Sequence, residues 1–336
     1  MVTQRVVQIA AAFLLSLAVM LAAGPATAGA PEITLRAAHD QPLGGINDIG
    51  HQYLARTLPG RTNGRIQVQV FPAAQLGAEP VMIEGVRMGS IDIASVHVAN
   101  FATVVPEFGL FSVSYLFKSE AHLERVMDDP KFQQRLSQIV QGRNLGLRII
   151  GFYTGGLRSL YNRKLAVQTP EDLKGLKLRV MANPIEAKVW TTFGAIPTAM
   201  PVSEVYPALQ AGVIDGAENC PWSIEAFKGY EAAPYVSLTE HQFTVATLIM
   251  NEKRLNAMSP DIQKTMLEVA REASAYQRKG DAEMEAAALG QLKAKGAKIN
   301  QPDKSKFAAL VVPIQDQVAR DLKMEDVLAM IRAAAR

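Results

Sequence analysis

The chain is poor in the residues that usually carry covalent or metal chemistry. It has a single cysteine, Cys220, among 336 residues, which excludes an intramolecular disulfide. Its five histidines show no close metal-ligand spacing, so we expect no metal, and we expect no cofactor. A pairing of His97 with Asp92, or of His241 with Glu240, stays open as a metal site but has no further support.

Strong charge of either sign is also missing. The whole chain has 35 basic and 32 acidic residues. Without residues 1–28, which contain Arg5 as their only charged side chain, the net charge is +2. Charge this weak and this scattered does not favour a nucleic-acid partner. Beyond the N-terminal segment, no apolar run is long enough to cross a bilayer.

The N-terminal segment has the pattern of a secretory signal. Arg5 precedes an apolar stretch at 6–23, and Ala26-Thr27-Ala28 is typical of a cleavage site. We therefore predict a signal peptide over residues 1–28, cleaved after Ala28 rather than after Ala30, and an exported protein. The alternative is an uncleaved membrane anchor, because the apolar stretch is almost long enough to span a bilayer.

The remainder alternates between strand and helix patterns. Ile66, Val68 and Val70 alternate with polar residues and predict a strand, and an amphipathic helix before it ends at Pro59-Gly60. Repeated alternation of this kind predicts an α/β protein with a mostly parallel sheet. Further on, 236–251 predicts a long strand, and a long helix starts at Ser259-Pro260.

One stretch, from Gly155 to Trp222, carries the functional signal. Leu176, Leu178 and Val180 alternate with Lys177 and Arg179, which predicts a strand that runs into a helix capped by Asn183. The carboxyl ends of strands in open α/β sheets are where ligands bind. An arginine there offers a planar fork that meets a carboxylate with two hydrogen bonds.

This stretch resembles the solute-binding subunits of TRAP transporters, the DctP-type family of periplasmic organic-acid receptors. The matching segments are 175–180, 196–206 and 215–219, in the family's order and close to its spacing. Segments at 62–66, 71–77 and 89–92 extend the resemblance over most of the mature chain.

The resemblance implies an α/β, two-lobed periplasmic-binding-protein fold with a long scaffold helix spanning both lobes. We assign 31–154 plus 245–283 to lobe I and 155–244 plus 284–336 to lobe II. It also implies an extracytoplasmic receptor, not an enzyme, that binds an organic-acid carboxylate between the lobes. The receptor would deliver its ligand to the small and large membrane permease subunits of a TRAP transporter driven by a sodium gradient.

The resemblance also implies roles for individual residues. Arg179 matches the arginine that pairs with the ligand carboxylate, and Asn219 matches an asparagine that contacts it. Arg158 follows Gly155-Gly156, a turn that lets the backbone come close to a ligand, and matches a second arginine, with Arg163 as a competing candidate. Strand ends of the first lobe and aromatic residues supply further pocket candidates. The predicted ligand-binding residues are Arg179, Arg158, Asn219, His97, Glu79, His39, Asp40, Asn183, Tyr153 and Trp222.

The ligand itself stays open among dicarboxylates, 2-oxo acids, sugar acids and aromatic acids. Val202 stands where the family often has phenylalanine, which favours a small acid other than a sugar acid. Two other functions remain possible. The same fold serves in a periplasmic sensor that docks on a signalling receptor. A hydrolase using Cys220 or a histidine is disfavoured because no nucleophile–base–orienter set is visible.

Overall fold

A computed structural model describes residues 32–335. The predicted signal peptide lies outside the described residues. Within them, no helix is both long enough and apolar enough to cross a bilayer. The nine strands of this part of the chain are β1 Ile33–Ala38, β2 Ile66–Phe71, β3 Ile93–His97, β4 Leu147–Asn162, β5 Lys177–Val180, β6 Ile196–Ala199, β7 Gly216–Asn219, β8 Tyr235–Asn251 and β9 Lys298–Asn300.

Helices cover both faces of this sheet. Short 3₁₀ segments occur at Pro106–Ser112, Pro170–Leu173 and Val202–Glu204. The α-helices are α1 Ile46–Arg61, α2 Glu79–Met88, α3 Val98–Phe101, α4 Glu120–Met127, α5 Pro130–Gly142, α6 Pro184–Thr192, α7 Val205–Gln210, α8 Pro221–Ala226, α9 Gly229–Ala232, α10 Glu252–Asn256, α11 Pro260–Ala294, α12 Lys304–Leu322 and α13 Glu325–Ala333.

The sheet is mixed rather than mostly parallel. Its strand order is β2-β1-β3-β8-β4-β7-β5-β6, and β9 pairs with β8. Pairs within each outer part are parallel, but β8 runs antiparallel to both β3 and β4, and β4 runs antiparallel to β7. The prediction of a mostly parallel sheet was therefore wrong at the centre of the sheet. There the two long strands β4 and β8 run antiparallel to each other and extend across both halves of the molecule.

The strands β4 and β8 connect the two halves of the molecule. β8 pairs with β3 near its carboxyl end and with β9 near its amino end, and β4 pairs with β8 along most of its length and with β7 near its carboxyl end. β8 confirms the long strand expected at 236–251. The β4–β8 register shifts between Thr154 and Leu157, where Gly156 has a positive φ of 72° that suits glycine. The β-bulge therefore lies midway along the connection between the halves.

The long helix α11 confirms the predicted scaffold helix. Its first half packs against α1 and β4 through Met266, Val269 and Ala273. Its second half reaches the other core through Ala288 and Leu292. Helix α1, by contrast, does not end at Pro59-Gly60: it continues to Arg61, because a proline in the last turn removes only one intrahelical bond.

Separate hydrophobic clusters lie on either side of the connecting strands. One large cluster joins β3, α4, α5 and the first half of β4, and two smaller clusters surround β5, α6 and β7. Val318, Val327 and Ile331 of the last two helices pack into the first of these clusters. The lobe boundaries stay a prediction, and this packing favours assigning α13 to lobe I.

Candidate functional site

A cavity of about 260 Å³ lies where the two halves face each other. One wall comes from the carboxyl ends of β1 and β3 and the start of α2. The other wall comes from β4, β5, β7 and the segment after β6. Six of the ten predicted ligand-binding residues line it: Asp40, Glu79, His97, Arg158, Arg179 and Asn219.

Arg179 is placed as a ligand anchor would be. It is the third residue of β5 and is only 3% exposed. Its Nε donates to the main-chain oxygen of Met200 at 2.8 Å, which orients the guanidinium. Within residues 32–335, its two terminal nitrogens make no hydrogen bond and no ion pair; the charge of Arg179 also acts on Glu186, whose pKa burial raises to about 8. A buried cation with unused donors in a cavity wall is suited to an anionic guest.

Arg158 has a different role, although it also lines the cavity. Its Nε and one terminal nitrogen form a two-pronged ion pair with Glu218, the latter contact measuring 2.6 Å. His241 Nε2 lies 3.3 Å from the same carboxylate. The Arg158 charge holds the pKa of Glu218 well below its usual range, against the effect of burial. The guanidinium is therefore already neutralised by the protein.

Asn219 has its amide oriented by Arg158. Its Oδ1 accepts from Arg158 Nη1 at 3.1 Å and from the Cys220 main-chain N–H at 3.0 Å. With the oxygen engaged by two donors, the Nδ2 amino group is left facing the cavity. The amide thus offers hydrogen-bond donors beside Arg179 without adding charge.

The opposite wall is rich in hydrogen-bond acceptors. Glu79 Oε1 accepts from His97 Nδ1 at 2.6 Å and from the His97 main-chain N–H at 3.0 Å, and its Oε2 accepts from Asn100 at 2.6 Å. Asp40 accepts from the Gln41 side chain at 3.1 Å through one oxygen. Carboxylate oxygens at this wall can accept from hydroxyl groups of a ligand.

Burial and mutual charge shape the titration of this wall. Burial, reinforced by the Glu79 charge, raises the pKa of Asp40 to about 6. Burial also opposes ionisation of Glu79 and His97, but their attraction prevails, so the pKa of Glu79 is lowered and that of His97 is raised. The wall therefore holds a charged His97–Glu79 pair and a carboxyl that titrates in the mildly acidic range.

The same three side chains approach the spacing of a metal site. Ligand atoms of Asp40, Glu79 and His97 all lie within 4.8 Å of one another. A metal needs a neutral imidazole, whereas the contact with Glu79 stabilises the protonated ring of His97. The arrangement is thus better suited to hydrogen-bonding a polar ligand than to holding a metal ion.

Four predicted ligand-binding residues lie outside the cavity wall. His39 points away from it towards Asp48, 3.1 Å distant, because the neighbour Asp40 takes the cavity side of the chain. Tyr153 is buried against His51, and Trp222 packs with Ile46. Their aromatic rings therefore belong to the core.

Asn183 is likewise engaged by the protein. Its Oδ1 accepts from the Ile185 main-chain N–H at 2.8 Å and caps α6, as predicted for a cap residue. Its Nδ2 donates to Ala99 O and to Ser112 Oγ, both at 3.1 Å. All of its hydrogen-bonding capacity is used between the two halves of the molecule.

Sequence reasoning missed several members of the site. Phe227 supplies the aromatic surface expected from Tyr153 and Trp222, and Asn100 completes the acceptor wall. Neither has a sequence signal: Phe227 directly follows helix α8 and Asn100 lies within the short helix α3, and only packing sets the direction of these helices. Arg163, the competitor of Arg158, contacts Leu209 O at 3.2 Å and does not line the cavity.

Cys220 is unsuited to nucleophilic chemistry. Its thiol is buried and lies 3.1 Å from Ser223 Oγ. Burial, together with the charges of Glu285 and Asp281, raises the pKa of the thiol well above its ordinary value. A thiol without a depressed pKa or a paired histidine is an inert core residue.

Comparison with known proteins connects this cavity to a family. The sequence profile of the bacterial extracellular solute-binding proteins, family 7 (DctP), matches residues 38–321. The 2,3-diketo-L-gulonate-binding periplasmic protein YiaO of Escherichia coli K12 is 33% identical over 270 residues. That alignment covers 79% of this chain and 80% of the relative.

Solved structures agree with the fold. A TRAP periplasmic solute-binding protein from Sulfitobacter sp. NAS-14.1, with bound β-D-galacturonate, superposes with a TM-score of 0.85 at 29% identity, covering 90% of this chain and 100% of that one. One from Chromohalobacter salexigens, with bound D-glucuronate, gives 0.85 at 32% identity, covering 89% and 99%.

Proposed function

The chain belongs to family 7 of the bacterial extracellular solute-binding proteins, the receptors of TRAP transporters, and from this premise we propose that its ligand is a sugar acid with one carboxylate. It is a binding protein rather than an enzyme, as its relatives are. The alternative of a hydrolase using Cys220 is thereby set aside.

The observation that carries the proposal is the unused donor pair of Arg179. A carboxylate placed against its terminal nitrogens receives two parallel hydrogen bonds. The Nδ2 group of Asn219 donates to the same carboxylate, because Asn219 Oδ1 is held by Arg158. Arg158 therefore acts through Asn219 rather than on the ligand charge itself.

The acceptor wall supports a hydroxylated ligand body. Asp40, Glu79 and Asn100 face Arg179 across the cavity, and their oxygens match the hydroxyl groups of a sugar chain or ring. Asp40 uses only one of its oxygens within the protein, so a purely apolar or aromatic acid leaves its other oxygen without a donor when the cavity is filled, which costs free energy. This argument reverses the preference for a non-sugar acid drawn from Val202. Galacturonate and glucuronate in the two solved relatives are of the proposed class.

Binding is coupled to closure of the two lobes in this proposal. The carboxylate contacts one lobe and the hydroxyls contact the other, so both sets of contacts exist only in the closed form. The closed receptor then delivers the sugar acid to the small and large permease subunits in the membrane. We place the mature protein in the periplasm, after removal of residues 1–28.

Isothermal titration against a matched ligand panel tests the proposal. The panel contains D-glucuronate, D-galacturonate, D-galactonate, benzoate, succinate and uncharged D-glucose. We expect tight binding of at least one sugar acid and no measurable binding of glucose, which lacks the carboxylate. Tighter binding of benzoate or succinate than of every sugar acid would contradict the ligand class.

Substitution of Arg179 tests the anchor. Arg179→Ala should weaken sugar-acid binding by about 2–5 kcal/mol, roughly 30-fold to several thousand-fold, because the carboxylate loses its paired cation. The control is Lys177→Ala, an exposed lysine two positions earlier on the same strand. Equal affinities of the two variants would show that Arg179 does not hold the ligand.

A further inference from the structure

A separate cavity of about 820 Å³ lies on the reverse side of the connecting strands, and we call it the rear cavity. Arg158 enters the ligand cavity, whereas its neighbours Leu157 and Ser159 line the rear cavity. Successive residues of a strand point to opposite faces, so β4 itself separates the two spaces. The rear cavity shares none of its lining residues with the sugar-acid site.

The deep wall of the rear cavity contains two acidic residues one helical turn apart on α11, Asp281 and Glu285. Asp281 is 3% exposed; its Oδ2 accepts from Thr154 Oγ1 at 3.1 Å and from the Gly156 main-chain N–H at 3.0 Å. Its Oδ1 has no hydrogen-bond partner among residues 32–335. Half-buried Glu285 accepts from the Trp222 main-chain N–H at 3.4 Å.

Neither carboxyl has a basic partner within the described residues. Two of the basic side chains at the cavity are engaged with other acids: Arg278 with Asp128 at 2.7 Å, and Lys304 with Glu240. The lining also includes the acidic Glu120 and Glu124 and the basic Lys118. Acidic side chains therefore outnumber basic ones around this space.

Apolar side chains form the remainder of the wall, including Phe117, Leu157, Phe243 and Leu289. An apolar lining with a few convergent polar groups is typical of small-molecule sites. Here the convergent groups are two carboxyls without a basic partner. The complementary ligand therefore has a positive charge at one end and an apolar body.

We propose that the rear cavity is a binding site for a small organic cation, an alkyl- or arylammonium compound. Its nitrogen takes the place beside Asp281 and Glu285 that no basic side chain occupies, and its body packs on Leu157 and Phe243. This site is independent of the sugar-acid site, and its occupation does not require that the sugar-acid proposal be correct.

The affinity for such a cation depends on pH in a defined direction. Burial raises the pKa of Asp281 to about 7 and that of Glu285 to about 8, and Glu120 and the Cys220 thiol face the same carboxyls. An ammonium compound binds the ionised carboxylates, so its affinity rises as the pH increases through this range. A ligand held by apolar contact alone shows no such rise.

Benzylammonium chloride and uncharged benzyl alcohol are the probes of the test, titrated into the mature protein at pH 6 and pH 9 and followed by NMR or calorimetry. We expect benzylammonium to bind at least tenfold more tightly at pH 9 than at pH 6, and more tightly than benzyl alcohol at pH 9. Absence of benzylammonium binding, or equal binding of both probes, would overturn the proposal.

Variants locate the site. Asp281→Asn with Glu285→Gln keeps the accepting oxygens but removes the charges, and should abolish the preference for benzylammonium. Leu157→Trp fills the cavity while both carboxyls remain, and should block both probes. Glu283→Gln, an exposed position on the same helix outside this cavity, is the control. Binding that survives Leu157→Trp and the double substitution unchanged would place the cation elsewhere and refute the assignment.

Discussion

Asn219 shows how a neutral side chain is prepared to bind an anion. Arg158 and the Cys220 N–H both donate to its oxygen, so the amino group cannot turn away from the cavity without losing two hydrogen bonds. The ion pair with Glu218 in turn holds Arg158 in place. A chain of three side chains thus fixes the direction of one donor.

Two substitutions of Asn219 separate this donor role from structure. Asn219→Ala should weaken sugar-acid binding by about 1.5–3 kcal/mol, the range for hydrogen bonds to charged groups. Asn219→Asp keeps an oxygen for Arg158 but replaces the donor with a second negative oxygen. Its affinity should fall below that of the alanine variant, as calorimetry can measure. An aspartate variant that binds as well as the wild type would contradict the assigned orientation.

At the residue scale, the sequence predicted which residues line the cavity better than it predicted the contacts between their side chains. Arg179 and Asn219 both line the cavity; the resemblance to the family pointed to both, and the strand pattern separately placed Arg179 at a ligand-binding edge. His39 and Asp40 could not be told apart, since adjacent residues diverge and only packing decides which one faces the cavity. The Arg158–Glu218 pair was missed because it depends on the register between β4 and β7, which neither strand reveals alone.

At the scale of elements, helix α11 supports the weakest point of strand β4. Gln277 Oε1 accepts from the Thr154 main-chain N–H at 3.0 Å, and its Nε2 donates to Thr154 O at 2.7 Å. One turn later, Asp281 accepts from Gly156. Gly156 has a positive φ of 72°, at which a side chain would be strained, and a Cβ there would also have to displace the Glu285 carboxyl, 2.5 Å away. The helix thus satisfies the backbone groups that the β-bulge leaves without strand partners.

The pH dependence of stability tests this contact. Burial raises the pKa of Asp281 from 3.8 to about 7, so the folded protein binds this proton more tightly than the unfolded chain does. The contribution of Asp281 to the free energy of unfolding therefore falls as the pH rises from about 4 to about 7. In the Asp281→Asn variant, the amide oxygen accepts the same hydrogen bonds without a charge. The substitution should therefore remove this pH-dependent part of the free energy of unfolding, which amounts to at most about 4 kcal/mol.

Urea unfolding at pH 4 and pH 8 measures the effect. The Asp281→Asn variant should gain stability relative to the wild type at pH 8 and differ little from it at pH 4. The exposed substitution Glu283→Gln should change neither value. If Asp281→Asn were less stable than the wild type at pH 8, the buried charge would have to be favourable, contrary to this account.

Elements were predicted more completely than their junctions. The long strand β8 and the helix α11 have strong patterns and were placed within a residue or two. The break in β4 was not predicted, because Gly155-Gly156 was interpreted as a turn that approaches the ligand. In the folded protein these glycines approach Thr244 and Glu285 instead.

On the scale of the whole molecule, Asn183 joins the two halves. Its amino group contacts Ala99 and Ser112 near the first core, while its oxygen caps α6 beside the second. A second link runs from the Ala182 main-chain N–H to Asn100 Oδ1 at 3.1 Å. We infer that these bonds stabilise the closed arrangement.

Asn183→Asp tests this role because it keeps the helix cap and removes the donor. Loss of two hydrogen bonds that favour closure should weaken sugar-acid binding by about 1–3 kcal/mol, although Asn183 does not line the cavity. Small-angle scattering should show the wild type becoming more compact on ligand addition, with the variant requiring more ligand. Unchanged affinity for the sugar acid would mean that these hydrogen bonds do not stabilise the closed arrangement.

Architecture was the most predictable feature, because motifs of a shared family specify it together. The assignment of 284–336 to one lobe stays a prediction. The sequence pattern of an amphipathic helix shows which face is apolar but not which core receives it. Val318 of α12 and Ile331 of α13 pack beside α4 and α5. The periodicity of α12 and α13 does not predict this contact.

Arg158 pairs with Glu218, and His97 pairs with Glu79. These two ion pairs have a consequence for the charge of the ligand that the cavity can accept. After both pairs are counted, Arg179 is the one guanidinium in the cavity wall without a counter-ion among the described residues. Below the pKa of Asp40, which burial raises to about 6, that carboxyl is neutral and a monovalent guest brings the closed site to electroneutrality. An aldarate, with an ionised group at each end, would bury one surplus negative charge near Asp40. We therefore expect a monoanion to bind more tightly than a dianion of similar shape.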